Sequence, residues 1–162
     1  DIVYIKEVIG VKIAISDHRS SNINAEELAR LATQARLAGL ESGKVGEVHM
    51  HMGNGKKGLS DVFAIVEETE IPIKHFRPTH IQKALEDGIK FANMGGFIDI
   101  TCDPDNMEKR CALIHRAMIE CPKGSVTLST DGNGSLPHGF HLFCQLVYAA
   151  GSVQQGELSM NM

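Results

Sequence analysis

Five short apolar runs, each leading through a polar or glycine-rich loop towards a stretch of helical periodicity, constrain this chain more than any other feature. The runs are VIGVKIAIS (8–16), VHMHM (48–52), IKHFRPT (73–79), FIDIT (97–101) and SVTLST (125–130). Their lengths and β-branched content suit strands buried in a parallel sheet. The intervening stretches carry helix signals. NAEELARLATQARLAGL (24–40) opens on Asn24 with Glu27 three residues later, a cap and its capping-box partner, and places Leu28, Leu31 and Ala35 on one face. In SDVFAIVEET (60–69), Ser60 is the expected cap, with Val62, Ile65 and Val66 turned inward. QKALEDGIKFANMGG (82–96) closes on a glycine pair. DPDNMEKRCALIHRAMIECP (103–122) has Asp103 as cap, Pro104 at the first helical position and Pro122 as stop. HGFHLFCQLVYAAG (138–151) reads as a weaker last helix. Strand followed by helix, five times over, predicts an α/β fold with right-handed crossovers; an open doubly wound sheet and a β/α barrel both satisfy the pattern.

Composition narrows the partners. The 162 residues are 43% hydrophobic, enough for one sizeable core, and the formal net charge of -4 argues against a nucleic-acid or membrane-surface partner. No apolar stretch approaches the ~20 residues that span a bilayer. The four cysteines show no paired metal spacing and read as reduced thiols filling the core of a cytoplasmic protein. The chain opens Asp1-Ile2-Val3-Tyr4, as if entered inside an element, which is how a fragment would begin.

The residues with chemistry cluster at strand ends. Lys12 lies between Val11 and Ile13. It is either a snorkelling lysine or a buried amine, and burial would favour the uncharged, nucleophilic form, which can take up carbon dioxide as a carbamate. His49 and His51 share a face by strand alternation; they are two zinc ligands, or one ligand and one packed neighbour. His80 directly follows the third run and Asp131 the fifth. In parallel β/α folds the carboxyl ends of all strands share one face, so Lys12, His51, His80 and Asp131 fall on a common rim. That donor mixture suits zinc or a similar divalent ion. The stretch LSTDGNGS (128–135) remains open at this level, because Asp-Gly and Asn-Gly also make plain turns.

The blocks GVKIAISDHRS (10–20), HMGNGKKGL (51–59), PTH (78–80), GGFIDIT (95–101) and TLSTDGNGS (127–135), in this order, resemble isoaspartyl dipeptidase, the β-aspartyl peptidase family of the amidohydrolase superfamily. The resemblance implies a TIM-type (β/α)8 barrel with two zinc ions, and here a partial barrel of about five β/α units, strands four to eight, over residues 1–162, because a full barrel takes about 250 residues. It implies that Lys12 is the carbamylated lysine bridging both metals, that His51 and His80 bind the second metal, and that Asp131 binds the first and handles the proton. Arg19 and Ser135 resemble residues that hold the substrate's carboxylate, the substrate being a β-aspartyl dipeptide. The implied activity is hydrolysis of the isopeptide bond by a metal-activated hydroxide. The strand-one H-x-H pair, the small β-domain and the arginine after the strand-six histidine are departures; Lys83 stands nearest the last. A partial barrel has open edges, from which a homo-oligomer or pairing with another chain is expected. The rival expectation is a non-catalytic metal-binding remnant or interaction fragment.

Overall fold

The computed structural model describes residues 1–102 and 107–131. Within them five strands alternate with four helices: β1 (Gly10–Ile15), α1 (Ala25–Ser42), β2 (Glu47–Met52), α2 (Ser60–Glu68), β3 (Phe76–Thr79), α3 (Leu85–Asn93), β4 (Ile98–Thr101), α4 (Met107–Glu120) and β5 (Val126–Ser129). Every pairing among them is parallel, as the alternation predicts. The helix expected over 138–151 and the caps Asp103 and Pro104 lie outside the described residues.

The local signals account for most of the boundaries. Asn24 Oδ1 accepts from the Glu27 N–H, and Glu27 Oε2 accepts from the Asn24 N–H, both at 2.9 Å. Such a cap contributes about 1 kcal/mol. Leu28, Ala32, Ala35 and Gly39 form the buried face of α1, with Leu31 half-buried beside them. Two expectations are replaced by tertiary contacts. Ser60 is the first residue of α2 rather than its cap; the cap position falls to Leu59, which has no side-chain acceptor and whose own N–H donates to Asp87 Oδ2 of α3 at 2.9 Å, tying this helix end to its neighbour. The helix expected from residue 82 is split into a 3-10 turn at Ile81–Lys83 and α3 from Leu85. His80 sits in the left-handed region (φ 58°), and the turn that follows sends Gln82 to the Thr101 N–H and Lys83 to the Met52 carbonyl.

The strands form two ladders, β1-β2-β3 and β4-β5. β3 has four residues, and Pro78 among them brings no N–H, so it has few donors to share between two neighbours. Side chains join the ladders: Thr79 Oγ1 donates to Asp99 Oδ2 at 2.6 Å.

Alternation divides each strand between two environments. The outer face is apolar and packs under the helices, with Val48, Met50, Met52, Phe76, Ile98 and Ile100 buried against Leu28, Val62, Ile65, Phe91 and Ile114. Each such side chain stabilises the fold by about 1.5–3 kcal/mol. Cys102, Cys111 and Cys121 are free thiols buried in this layer. Burial pushes the Cys102 thiol up to about 11. The inner face is mostly polar: Lys12, Glu47, His49, His51, Arg77, Thr79, Asp99, Thr101, Thr127 and Ser129 occupy the alternate positions, with Gly10 and Ala14 beside Lys12 in β1. Among the described residues no helix is long and apolar enough to cross a membrane.

Candidate active site

The register stacks the inner face into layers. Lys12 is level with His49 and His49 with Arg77; one layer nearer the strand ends, Ala14 is level with His51 and His51 with Thr79. His80 follows directly, and its ring meets that of His51 at a centroid distance of 4.2 Å and an interplanar angle of 63°.

Of the two alternatives for Lys12, the structure shows the exposed one: Val11 and Ile13 point to the helices while Lys12 points to the open inner face. The stepwise polar and apolar alternation, not the overall hydrophobicity of the run, decides which face a strand residue meets.

The loop after β1 arranges the rim. Ser16 takes a left-handed conformation (φ 51°), and the 53–58 loop lies directly on it. Gly55 N–H donates to the Ser16 carbonyl at 2.6 Å, and Gly58 N–H to Ser16 Oγ at 3.1 Å. A Cβ on Gly53 would lie 2.3 Å from Asp17 Cα, so only glycine allows this approach. The SDHRS and GNGKKG motifs are therefore two halves of one packed loop pair. Asp17, half-buried with its side chain beneath the loop pair, accepts from the Arg19 N–H at 2.8 Å and from Arg19 Nε at 3.0 Å. The Arg19 guanidinium beside Asp17 holds that carboxyl well below the usual carboxylate range. The same guanidinium contacts His51 Nε2, and Asp17 Oδ2 lies 3.6 Å from that nitrogen.

Both rim imidazoles are neutral near pH 7. Burial, and then the neighbouring His80, bring His51 down to about 4; burial also lowers His80, against the opposing pull of Asp131. His80 Nδ1 is 2.7 Å from Thr101 Oγ1. Asp131 is exposed at the end of β5 in a left-handed conformation (φ 51°), within electrostatic reach of His80 and Arg19. Non-glycine residues in this region are uncommon, and Ser16, His80 and Asp131 all stand at or just beyond the ends of strands.

The structure thus gathers His51, His80, Arg19 and Asp131 at one rim, sets Lys12 and His49 one layer below it, and leaves Ser135 outside the described residues. Two neutral imidazoles this close fit a shared zinc-type ion, which would take the place of the Arg19 guanidinium at His51 Nε2. Among the described residues, no three His, Cys, Asp or Glu side chains converge as a ready-made cage. Beside the rim opens a cavity of about 710 Å³, lined by Asp17, Arg19, Asn54, Lys56, Lys57 and Lys83 among others. Sequence reasoning gave no role to Asp17, although it sits inside the SDHRS block, or to Asp99, although an acid in the middle of FIDIT is a visible anomaly.

Parallel β/α units with an apolar outer face, a polar inner face and imidazoles, carboxylates and a guanidinium at the carboxyl-end rim define a section of a parallel β/α scaffold, whose sites form at that end of the strands. No protein-family model matches the sequence. Among solved structures, the chain is similar to the beta-aspartyl dipeptidase of the thermophilic, keratin-degrading Fervidobacterium islandicum AW-1. The two are 38% identical, with a TM-score of 0.80, over 96% of this chain and 43% of that one. A second structure of that dipeptidase, in complex with the beta-Asp-Leu dipeptide, is 45% identical, with a TM-score of 0.72, over 85% of this chain and 38% of the other. The resemblance carried by the sequence blocks thus recurs in three dimensions, and the chain spans less than half the length of the solved structures it matches.

Proposed function

We propose that these residues form the strand-four-to-eight section of a zinc-dependent β-aspartyl dipeptidase barrel, and that the whole protein hydrolyses the isopeptide bond of β-aspartyl dipeptides. The observation that carries this reading is the rim itself: His51, His80, Arg19 and Asp131 meet at one end of the strands in a chain 45% identical to a dipeptidase solved with beta-Asp-Leu.

Each residue has a role that its setting suits. His51 and His80 present neutral imidazoles to a divalent ion. Lys12 lies within electrostatic reach of His80 and, on the resemblance, would bridge two ions as a carbamate. When bound, such ions acidify water and polarise the scissile carbonyl. Asp131 takes the proton that the attacking water loses and delivers it to the leaving amine as the C–N bond breaks, ordinary general acid–base work. Arg19, with Ser135, binds the dipeptide's carboxylate through a fork that Asp17 keeps oriented. The lysines of the adjoining cavity add positive charge where an acidic dipeptide would enter. The remaining strands of the whole protein, or a second chain, would cover the polar inner face and the side of β1 away from β2, which pairs with no strand among the described residues.

One observation favours the alternative of a metal-binding remnant or interaction fragment, namely the exposure of Lys12. Hydrolysis separates the two. The zinc-reconstituted 162-residue chain is expected to cleave β-Asp-Leu weakly, and more strongly when a fragment carrying strands one to three of a related dipeptidase is added. A deficit of a few kcal/mol in transition-state stabilisation already lowers the rate about a hundredfold or more. Asp131→Asn should abolish the gain. Complemented protein with no activity, or equal activity on α-Asp-Leu, would rule out the dipeptidase reading.

A further inference from the structure

Behind His80, away from the rim, the inner face holds a run of hydroxyl groups ending on a buried carboxylate. Asp99 is 7% exposed. Its Oδ2 accepts from Thr79 Oγ1 at 2.6 Å and from Ser129 Oγ at 2.7 Å, and its Oδ1 faces Thr127 Oγ1 at 3.1 Å. A serine hydroxyl has one proton. Ser129 commits that proton to Asp99, so towards Thr101 Oγ1, 3.4 Å away, it can only accept. An arrangement in which Thr101 donates to Ser129 across this long link leaves its oxygen to accept from His80 Nδ1 at 2.7 Å. In that arrangement the proton of neutral His80 sits on Nδ1 and the lone pair on Nε2.

We propose that Asp99 is a positioning residue for His80, acting through Ser129 and Thr101 to hold the imidazole as the Nδ1–H tautomer with Nε2 as its ligand atom. That Nε2 serves a metal rests on the function proposed above; the tautomer does not. The arrangement explains why a carboxylate is kept inside FIDIT: four elements meet in this relay, since Thr79 ends β3, Asp99 and Thr101 belong to β4, Ser129 belongs to β5, and His80 begins the turn towards α3. A ligating imidazole whose second nitrogen is fixed in this way loses less orientational freedom on binding, and removing such a partner typically weakens metal affinity about 10–100-fold.

The test is long-range imidazole nitrogen-15 NMR on the metal-free 162-residue chain, with His80 assigned from a His80→Gln spectrum. Wild type is expected to show the Nδ1–H pattern. Thr101→Val and Ser129→Ala are expected to move the equilibrium towards Nε2–H, because one deletes the acceptor and the other frees the threonine proton to point at Nδ1. Thr101→Ser should restore the wild-type pattern. In zinc titrations, Thr101→Val should weaken binding about 10–100-fold, with Thr101→Ser close to wild type. A wild-type Nε2–H pattern overturns the proposal without reference to any variant, and so does a Thr101→Val protein whose zinc affinity is unchanged. A wild-type chain that shows Nδ1–H but takes up no zinc upholds the relay and counts against the metal-dependent function instead.

Discussion

The rings of His51 and His80, brought in from separate strands, stand 4.2 Å apart and edge to face. The register of β2 and β3 sets this distance: His51 is level with Thr79, and the left-handed turn at His80 swings its ring back over its neighbour. Two imidazoles held neutral by burial would repel if both were protonated, and each is kept in the form that binds a metal.

The pair should therefore act as one binding unit. Purified chain, reconstituted with zinc and desalted, is expected to retain metal. His51→Ala or His80→Ala alone should weaken retention strongly, and the double substitution should remove it. Elemental analysis by mass spectrometry reads the stoichiometry. No retained zinc in the unsubstituted chain would sink the assignment.

Lys12 makes a separate prediction. The carbamate is expected only once zinc is present, since on the resemblance the ions are what hold it in place. Carbon-13 NMR with labelled bicarbonate should show a carbamate signal in the zinc-loaded chain, absent from the metal-free chain and from Lys12→Ala. Identical spectra for Lys12→Ala and wild type would exclude the role.

Gly53→Ala tests the loop pair that positions Asp17 and Arg19. The added Cβ would meet Asp17 Cα at 2.3 Å, a backbone clash that no rotamer relieves. The expected cost is about 1–3 kcal/mol, the range for overpacking. Urea denaturation should show a lower midpoint at an unchanged slope. A midpoint equal to wild type would mean that the two loops do not pack as described.

The surface ion pair between α3 and α4 predicts a pH dependence. Arg116 Nη2 donates to Glu86 Oε2 at 2.9 Å, and this hydrogen bond lowers the Glu86 carboxyl from its ordinary 4.5. A depressed carboxyl contributes stability that is fully present above its unfolded value and is lost as pH falls through the lower folded value. Glu86→Gln should thus bring the two proteins closer in stability below about pH 4.5 than at pH 7, with a small difference throughout because the pair is exposed. Thermal melts from pH 3 to 7 read it, and a constant difference across that range would show that the pair is not linked to folding.

What the sequence determined by itself is local in origin. Asn24 and Glu27 announce the start of α1 three residues apart, and the backbone closes that box with no help from elsewhere. Period-two alternation in VHMHM told which residues of β2 face inward, because pleat geometry holds for any strand. The placing of His51, His80 and Asp131 at strand ends followed from the parallel order of the strands. The tertiary structure decided what depends on neighbours distant in sequence. Lys12 was legible as a lysine in an apolar run, but its exposure depends on which strand faces it across the inner face. Ser60 carries a capping residue's chemistry, yet Asp87, 28 residues beyond Leu59, took the N–H at that helix end. Asp17 and Asp99 became part of the site only through partners on other strands: His51 for the first, Thr79 and Ser129 for the second. Propensity and periodicity act within a few residues, whereas desolvation and hydrogen-bond partnership are set by whatever the fold brings within about 3 Å.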